Sequence, residues 1–147
     1  MIDRTNVEVV RRIYDLFAAG DQDGMRALLA DDFEWEYYGP QSIPWAGKYR
    51  GVAGFDQFFA NVRGVVEIEH FEPREFIGAD ERVVVLGVSR ARVVASGARY
   101  EAQWANVFTL ECGRITRLLD LYETASVLSA LETSLRAVRP QEGKVRS

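Results

Sequence analysis

The run RLLDLYE, residues 117–123, sets one acid, Asp120, inside an apolar stretch that reads as a strand. A carboxyl group held away from water is disfavoured as an anion. Its pKa climbs toward neutrality, where it can take up and return a proton. Upstream, ANVFTL carries Asn106, an amide suited to holding a carboxylate or donating to a developing oxyanion. Tyr37, Trp104 and Tyr122 combine hydrogen-bonding ends with flat apolar surface for a ring-shaped ligand. Other chemistry is sparse. With one histidine and one cysteine no transition-metal cluster can form, and the carboxylates are scattered, so neither metal nor cofactor is expected. GVAGF lacks the Lys-Ser/Thr of a phosphate loop. Cys112 excludes an internal disulfide, and His70 ends VVEIEH on the parity of Val66 and Ile68.

Whether Asp120 meets Asn106 depends on the turn that precedes its strand. Read as a two-residue turn, Cys112-Gly113 points Leu119 and Leu121 inward and Asp120 outward, within reach of Arg90 or Arg117. Read as a three-residue loop, ECG places glycine in the left-handed third position and reverses the parity. Asp120 then shares a face with Trp104, Asn106, Leu118 and Tyr122. Cysteine resists the positive φ that a two-residue primed turn demands, so the three-residue loop is preferred. In the preceding hairpin, Ser96-Gly97 reads as a two-residue turn. It would pair Gly87 with Asn106, Ser89 with Trp104 and, on the outer face, Arg92 with Glu101. Small side chains at Gly87 and Ser89 would then leave a hollow in the middle of the inner face.

The elements that must position these groups are legible in outline. Val7, Val10, Tyr14, Phe17 and Ala18 recur at helical spacing, Gly20 supplies a stop and Asp21 the next N-cap, with a short second helix reaching about Ala30. FEWEYY alternates, with Phe33, Trp35 and Tyr37 on one face. Residues 39–51 read as a loop in which Ile43 and Trp45 are apolar enough to pack, making it a candidate lid near the pocket mouth. Phe55, Phe58, Phe59 and Val62 return to helical spacing. Strands follow to Glu123, with a bend at Pro73, and TASVLSALETSL closes as a helix. Helices first and antiparallel strands afterwards indicate α+β, with helices covering one face of a curved sheet.

The 147 residues suit one domain, taken as residues 1–135, with a polar, frayed tail over 136–147. A net charge of −4 offers no cationic field for nucleic acid or an anionic membrane. No apolar run approaches the roughly 18 residues of a membrane span, and MIDRTNVEVV has no signal-type apolar core, so a cytoplasmic location is expected.

Four segments, VVRRIYDLFAAGDQDGMRALLADDFEWE, GKYRGVAGFDQFF, FEPREFIGADERVVVLG and VFTLECGRITRLLDLYETA, resemble successive parts of the SnoaL-like branch of the nuclear transport factor 2-like superfamily, over about residues 6–131. The resemblance implies a cone: a strongly bent mixed sheet wrapped by three helices from the N-terminal half, with an internal apolar pocket. It also implies a homodimer through the outer sheet face. The family includes polyketide cyclases, ketosteroid isomerases and limonene epoxide hydrolases, among which fold alone does not choose. The isomerase base, tyrosine and protonated-acid positions match Tyr37, Ile13 and Asn106, which removes that mechanism. The epoxide hydrolase acid matches Asp120, but its Arg-x-Asp pair matches Gly87 and Ser89. The aspartate of SnoaL-type cyclases also matches Asp120, while their histidine position reads Asn106. The expectation is therefore a cofactor-independent acid/base enzyme acting on a hydrophobic small molecule, with Asp120 and Asn106 catalytic. Tyr14, Phe17, Trp35, Tyr37, Trp45, Phe58, Trp104 and Tyr122 are the expected ligand contacts. A non-catalytic binding or dimerisation module of the same fold is the alternative.

Overall fold

The apolar repeat near the N-terminus winds into α1 (Ile2–Ala18), which buries Val10 and Ile13 and turns Arg11 and Arg12 outward. It stops at Gly20, whose φ of +73° lets the Asp21 N–H reach the Leu16 carbonyl at 2.9 Å and its own N–H reach Phe17 at 3.0 Å. These paired bonds satisfy the last carbonyls of the helix. Asp21 accepts from the Gly24 N–H at 2.8 Å and opens α2 (Gln22–Arg26). The chain is described by a computed structural model over residues 2–138.

Six strands follow: β1 (Leu29–Tyr38), β2 (Gly47–Arg50), β3 (Val66–Ala79), β4 (Arg82–Val93), β5 (Arg99–Glu111) and β6 (Arg114–Tyr122). They form one curved, open, mixed sheet in the order β2-β1-β6-β5-β4-β3, with β1 parallel to β6 and every other pairing antiparallel. Helix α3 (Gly51–Arg63) packs on β1, α1 on β3 and β4, and α4 (Thr124–Val138) on β5 and β4. The architecture is α+β, the cone expected from the sequence. Helix α4 runs into the segment expected to be a tail, and residues 139–147 lie outside the described residues.

Local departures from the sequence reading have physical causes. β1 starts at Leu29, where α2 was expected to continue to Ala30. β2 lies inside the segment read as loop. Tyr49 pairs with Trp35 and Lys48 with Glu36, so this short edge strand owes its form to its neighbour rather than to its composition. β3 runs through Pro73, opposite Gly87, and the ladder slips between Pro73 and Glu75, which an edge strand tolerates.

Both hairpins close differently from the reading of their turns. Gly87 lies opposite Trp104, not Asn106, because Val93 pairs with Ala98 around a longer loop that ends at Gly97, φ +78°. The shift is two positions, so every side chain keeps its face. Arg92 now bonds Glu67 at 3.2 Å, and Glu101 stands opposite Arg90. The space expected at Gly87 is occupied: a Cβ there would sit 2.3 Å from the Trp104 ring and 2.5 Å from the Glu72 carbonyl. In the second hairpin Cys112 (φ +50°) and Gly113 (φ +76°) do form the two-residue turn, with Glu111 opposite Arg114. The left-handed cysteine costs roughly 1–2 kcal/mol. Parity is reversed one step later, where Leu110 pairs with Ile115 but Thr109 pairs with Arg117. Thr116 is the extra residue, its hydroxyl bonded to the Thr109 carbonyl at 3.2 Å. This bulge does what the three-residue loop was expected to do.

Candidate active site

With parity reversed, Asp120 points into the cone. It lies directly opposite Asn106 on β5 and beside Tyr37 on β1, and it is 5% exposed. The Asn106 Nδ2 donates to Asp120 Oδ1 at 2.9 Å, and the Trp35 indole N–H donates to Oδ2 at 3.1 Å. Trp35 is held for this by Phe58, stacked on it at 3.8 Å between ring centroids. The Tyr14 hydroxyl donates to Asn106 Oδ1 at 2.6 Å. A carboxylate requires donors, so the amide nitrogen of Asn106 must face Asp120 and its oxygen must face Tyr14. The chain Tyr14–Asn106–Asp120–Trp35 is thus fixed in direction, and one lone pair on each carboxyl oxygen remains for a proton.

Burial pushes the Asp120 carboxyl up to about 7, against the lowering effect of the bonds from Trp35 and Asn106. Burial, reinforced by the negative charge of Asp120, raises Tyr14 and Tyr122 well above the usual phenol value. Tyr37 is raised chiefly by burial. Trp45 approaches it closely enough to offset part of that rise, although no group meets hydrogen-bond geometry with the Tyr37 hydroxyl. At neutral pH these phenols keep their protons, and Tyr14 donates its own to Asn106, while Asp120 is poised between its two forms.

These groups line an internal cavity of about 100 Å³. Of the expected ligand contacts, Tyr14, Phe17, Trp35 and Tyr37 lie on its wall, as do Trp45, Phe58 and Tyr122. Trp104 does not: it stacks on Phe71 at 4.6 Å and fills the space over Gly87. Ser89 and Tyr100, for which the sequence offered only their facing, also line the cavity, as does Phe71, which the ladder slip after Ile68 turns inward opposite Ser89. Tyr14 was expected as a contact, and its role as donor to Asn106 was legible only as a phenol within an apolar helical stripe. Ile43 and Trp45 of the suspected lid are 1% and 3% exposed, and Ile43 is not on the wall. Ile68, on β3, is at 39% the wall residue most open to solvent. His70 is carried to the outer face by a ladder slip after Ile68, where it meets Glu72 at 3.3 Å. Arg117, a possible outer partner for Asp120, bonds Glu36 instead. Among the described residues no group of three or more His, Cys, Asp or Glu is placed to hold a metal ion, and no helix is long and apolar enough to cross a membrane.

The profile of the SnoaL-like domain matches residues 10–118. An NTF2-like protein of Burkholderia xenovorans LB400 superposes with a TM-score of 0.79 at 30% identity, covering 88% of this chain and 98% of that one. TerC, co-crystallised with polyporic acid, superposes with a TM-score of 0.79 at 28% identity over 87% and 98% of the two chains. A candidate polyketide cyclase of Xanthomonas campestris pv. campestris reaches 0.72 at 20% identity over 88% and 98%, which bears on the fold alone.

Proposed function

Since this chain belongs to the SnoaL-like domain family, we propose that it is a cofactor-independent acid/base enzyme acting on a hydrophobic ring compound of polyketide, terpene or steroid type. The observation that supports this best is Asp120: a buried carboxyl on the wall of an otherwise apolar cavity, oriented by two donors and poised near neutrality. A carboxyl of that pKa is populated in both its acid and its base form at pH 7, so it can take up a proton in one step and return it in another. Cyclisation, isomerisation, dehydration and hydrolysis each use a group that gives or takes a proton at some step. TerC, of the same architecture, was crystallised with polyporic acid, which makes that compound a reasonable first probe of binding here.

The cavity is smaller than the roughly 300–1,000 Å³ of drug-sized sites, so a larger ligand must widen it. That tightness is the observation favouring a non-catalytic module with a packed interior. Deuterium incorporation from D2O into a panel of cyclic ketones and 1,3-diketones separates the two. The wild type should catalyse exchange and Asp120→Asn should lose about 100-fold or more of it. Equal exchange by both proteins would remove Asp120 from the chemistry.

A further inference from the structure

Asp120 and both groups that donate to it, Asn106 and Trp35, sit on the sheet, and Tyr14 joins them from α1. Tyr14 does not bond the acid. Its hydroxyl donates to Asn106 Oδ1 at 2.6 Å, and the same amide donates from Nδ2 to Asp120 Oδ1 at 2.9 Å, so the one hydrogen-bonded path from phenol to carboxyl runs through a single amide. The ring of Tyr14 is fixed independently of that hydroxyl. It stacks on Phe71 and Trp104 and meets Phe76 and Phe108 edge-on, with all four ring centroids within 6.1 Å.

An asparagine can turn either its nitrogen or its oxygen toward an acid. The nitrogen side stabilises a carboxylate, whereas the oxygen side accepts from the protonated acid and so favours the other form. Rotating the Asn106 amide would strand the Tyr14 proton, because that hydroxyl makes no second hydrogen bond among the described residues. Donation from Tyr14 also polarises the amide and strengthens the N–H bond on its far side. Both effects favour the base form of Asp120. The other ionisable groups on the cavity wall are the phenols Tyr37, Tyr100 and Tyr122; no lysine, arginine, histidine or second acid stands there, and Trp35 donates to the other carboxyl oxygen.

We propose that Tyr14 is a positioning residue: by holding the carbonyl of Asn106 it keeps the amide N–H on Asp120 and sets the pH at which that carboxyl passes from acid to base. The proposal rests on the acid/base reading of Asp120 and assigns control of its protonation to a helix outside the sheet. Any movement of α1 that draws the hydroxyl away frees the amide to rotate, and the acid then holds its proton more tightly.

Carbon-13 labelling of aspartate lets the Asp120 carboxyl be titrated by NMR in the wild type, Tyr14→Phe, Asn106→Leu and the double variant. Tyr14→Phe keeps the ring contacts and should raise proton affinity about fivefold, a midpoint shift of roughly 0.7 pH unit, the worth of one net hydrogen bond. Loosened packing alone would admit water and move the midpoint the other way. Asn106→Leu should raise the midpoint at least as far, and the double variant should match it, because the effect of Tyr14 travels through the amide. 3-Fluorotyrosine at position 14, a stronger donor of nearly the same shape, should lower the midpoint when Asn106 is present and leave it unchanged in Asn106→Leu. Deuterium exchange into the cyclic ketones should follow the same midpoints. An unmoved or lowered midpoint in Tyr14→Phe would overturn the linkage, as would a double variant that exceeds Asn106→Leu by the full effect of Tyr14→Phe. The expected midpoints without any exchange by the wild type would leave the linkage standing and remove the acid/base reading.

Discussion

Replacing Asp120 by asparagine should change how stability depends on pH, in a direction set by the burial of its carboxyl. A carboxyl that ionises near 3.8 in the unfolded chain and near 7 in the folded one binds its proton more tightly when folded. Below 3.8 both states carry the proton and the group imposes no penalty. Between 3.8 and 7 the unfolded chain releases it and the folded one does not, so stability falls as pH rises. Above 7 the full loss of about 4 kcal/mol is reached, at ~1.36 kcal/mol for each pH unit that separates the two ionisations. Across pH 5–8 the wild type should therefore lose roughly 3 kcal/mol that the variant keeps, since two pH units of that span lie below the folded pKa. Asparagine has one acceptor oxygen for the two donors, Trp35 and Asn106, so the variant also gives up about 1–2 kcal/mol at every pH. That offset displaces the curve without tilting it. Urea unfolding followed by tryptophan fluorescence at half-unit steps of pH measures both quantities, and all other carboxylates cancel in the difference. Parallel curves for the two proteins would show that Asp120 ionises in the ordinary range, and the argument from burial would fail.

Asn106→Leu removes a bond that lowers the Asp120 pKa, so the midpoint of its carboxyl carbon titration by NMR should move above 7; an unmoved midpoint would deny Asn106 any hold on the acid. Tyr14→Phe strips the Asn106 carbonyl of its donor and should cost about 1–3 kcal/mol in chemical denaturation. Gly87→Ala drives a methyl group into the Trp104 ring and the Glu72 carbonyl; a loss of roughly 1–3 kcal/mol is expected, and a neutral result would mean that Trp104 moves freely. The expected pairing of two copies through the outer sheet face, where Leu86 and Ile77 are exposed, predicts a solution mass twice the 16.6 kDa of one chain, reduced to one by Leu86→Glu. Light scattering that returns a single chain for the wild type would refute that pairing.

The periodicities of the sequence determined the α+β class, the order of the elements apart from the short edge strand β2, and the facing of β1, β4 and β5, though not of β3 beyond Ile68. Those properties follow from repeats of 3.6 and 2 that survive small errors of register: a two-position slip left Gly87 and Trp104 on their predicted face. The inward acid and its amide partner were also legible, once the turn was assigned a parity. What the sequence could not determine was how that parity is set. Cys112 accepts a left-handed backbone that its own preference opposes, and Thr116 bulges to restore the facing, because the pairing of β5 with β6 and the burial of Ile115 and Leu118 outweigh one strained residue. Nor could it show that Trp104 fills the volume over Gly87, that Tyr14 closes on Asn106, or that the Tyr37 hydroxyl lies unpaired. Contacts between residues far apart in the chain depend on ångström-scale packing of whole strands and helices, and no local pattern encodes that.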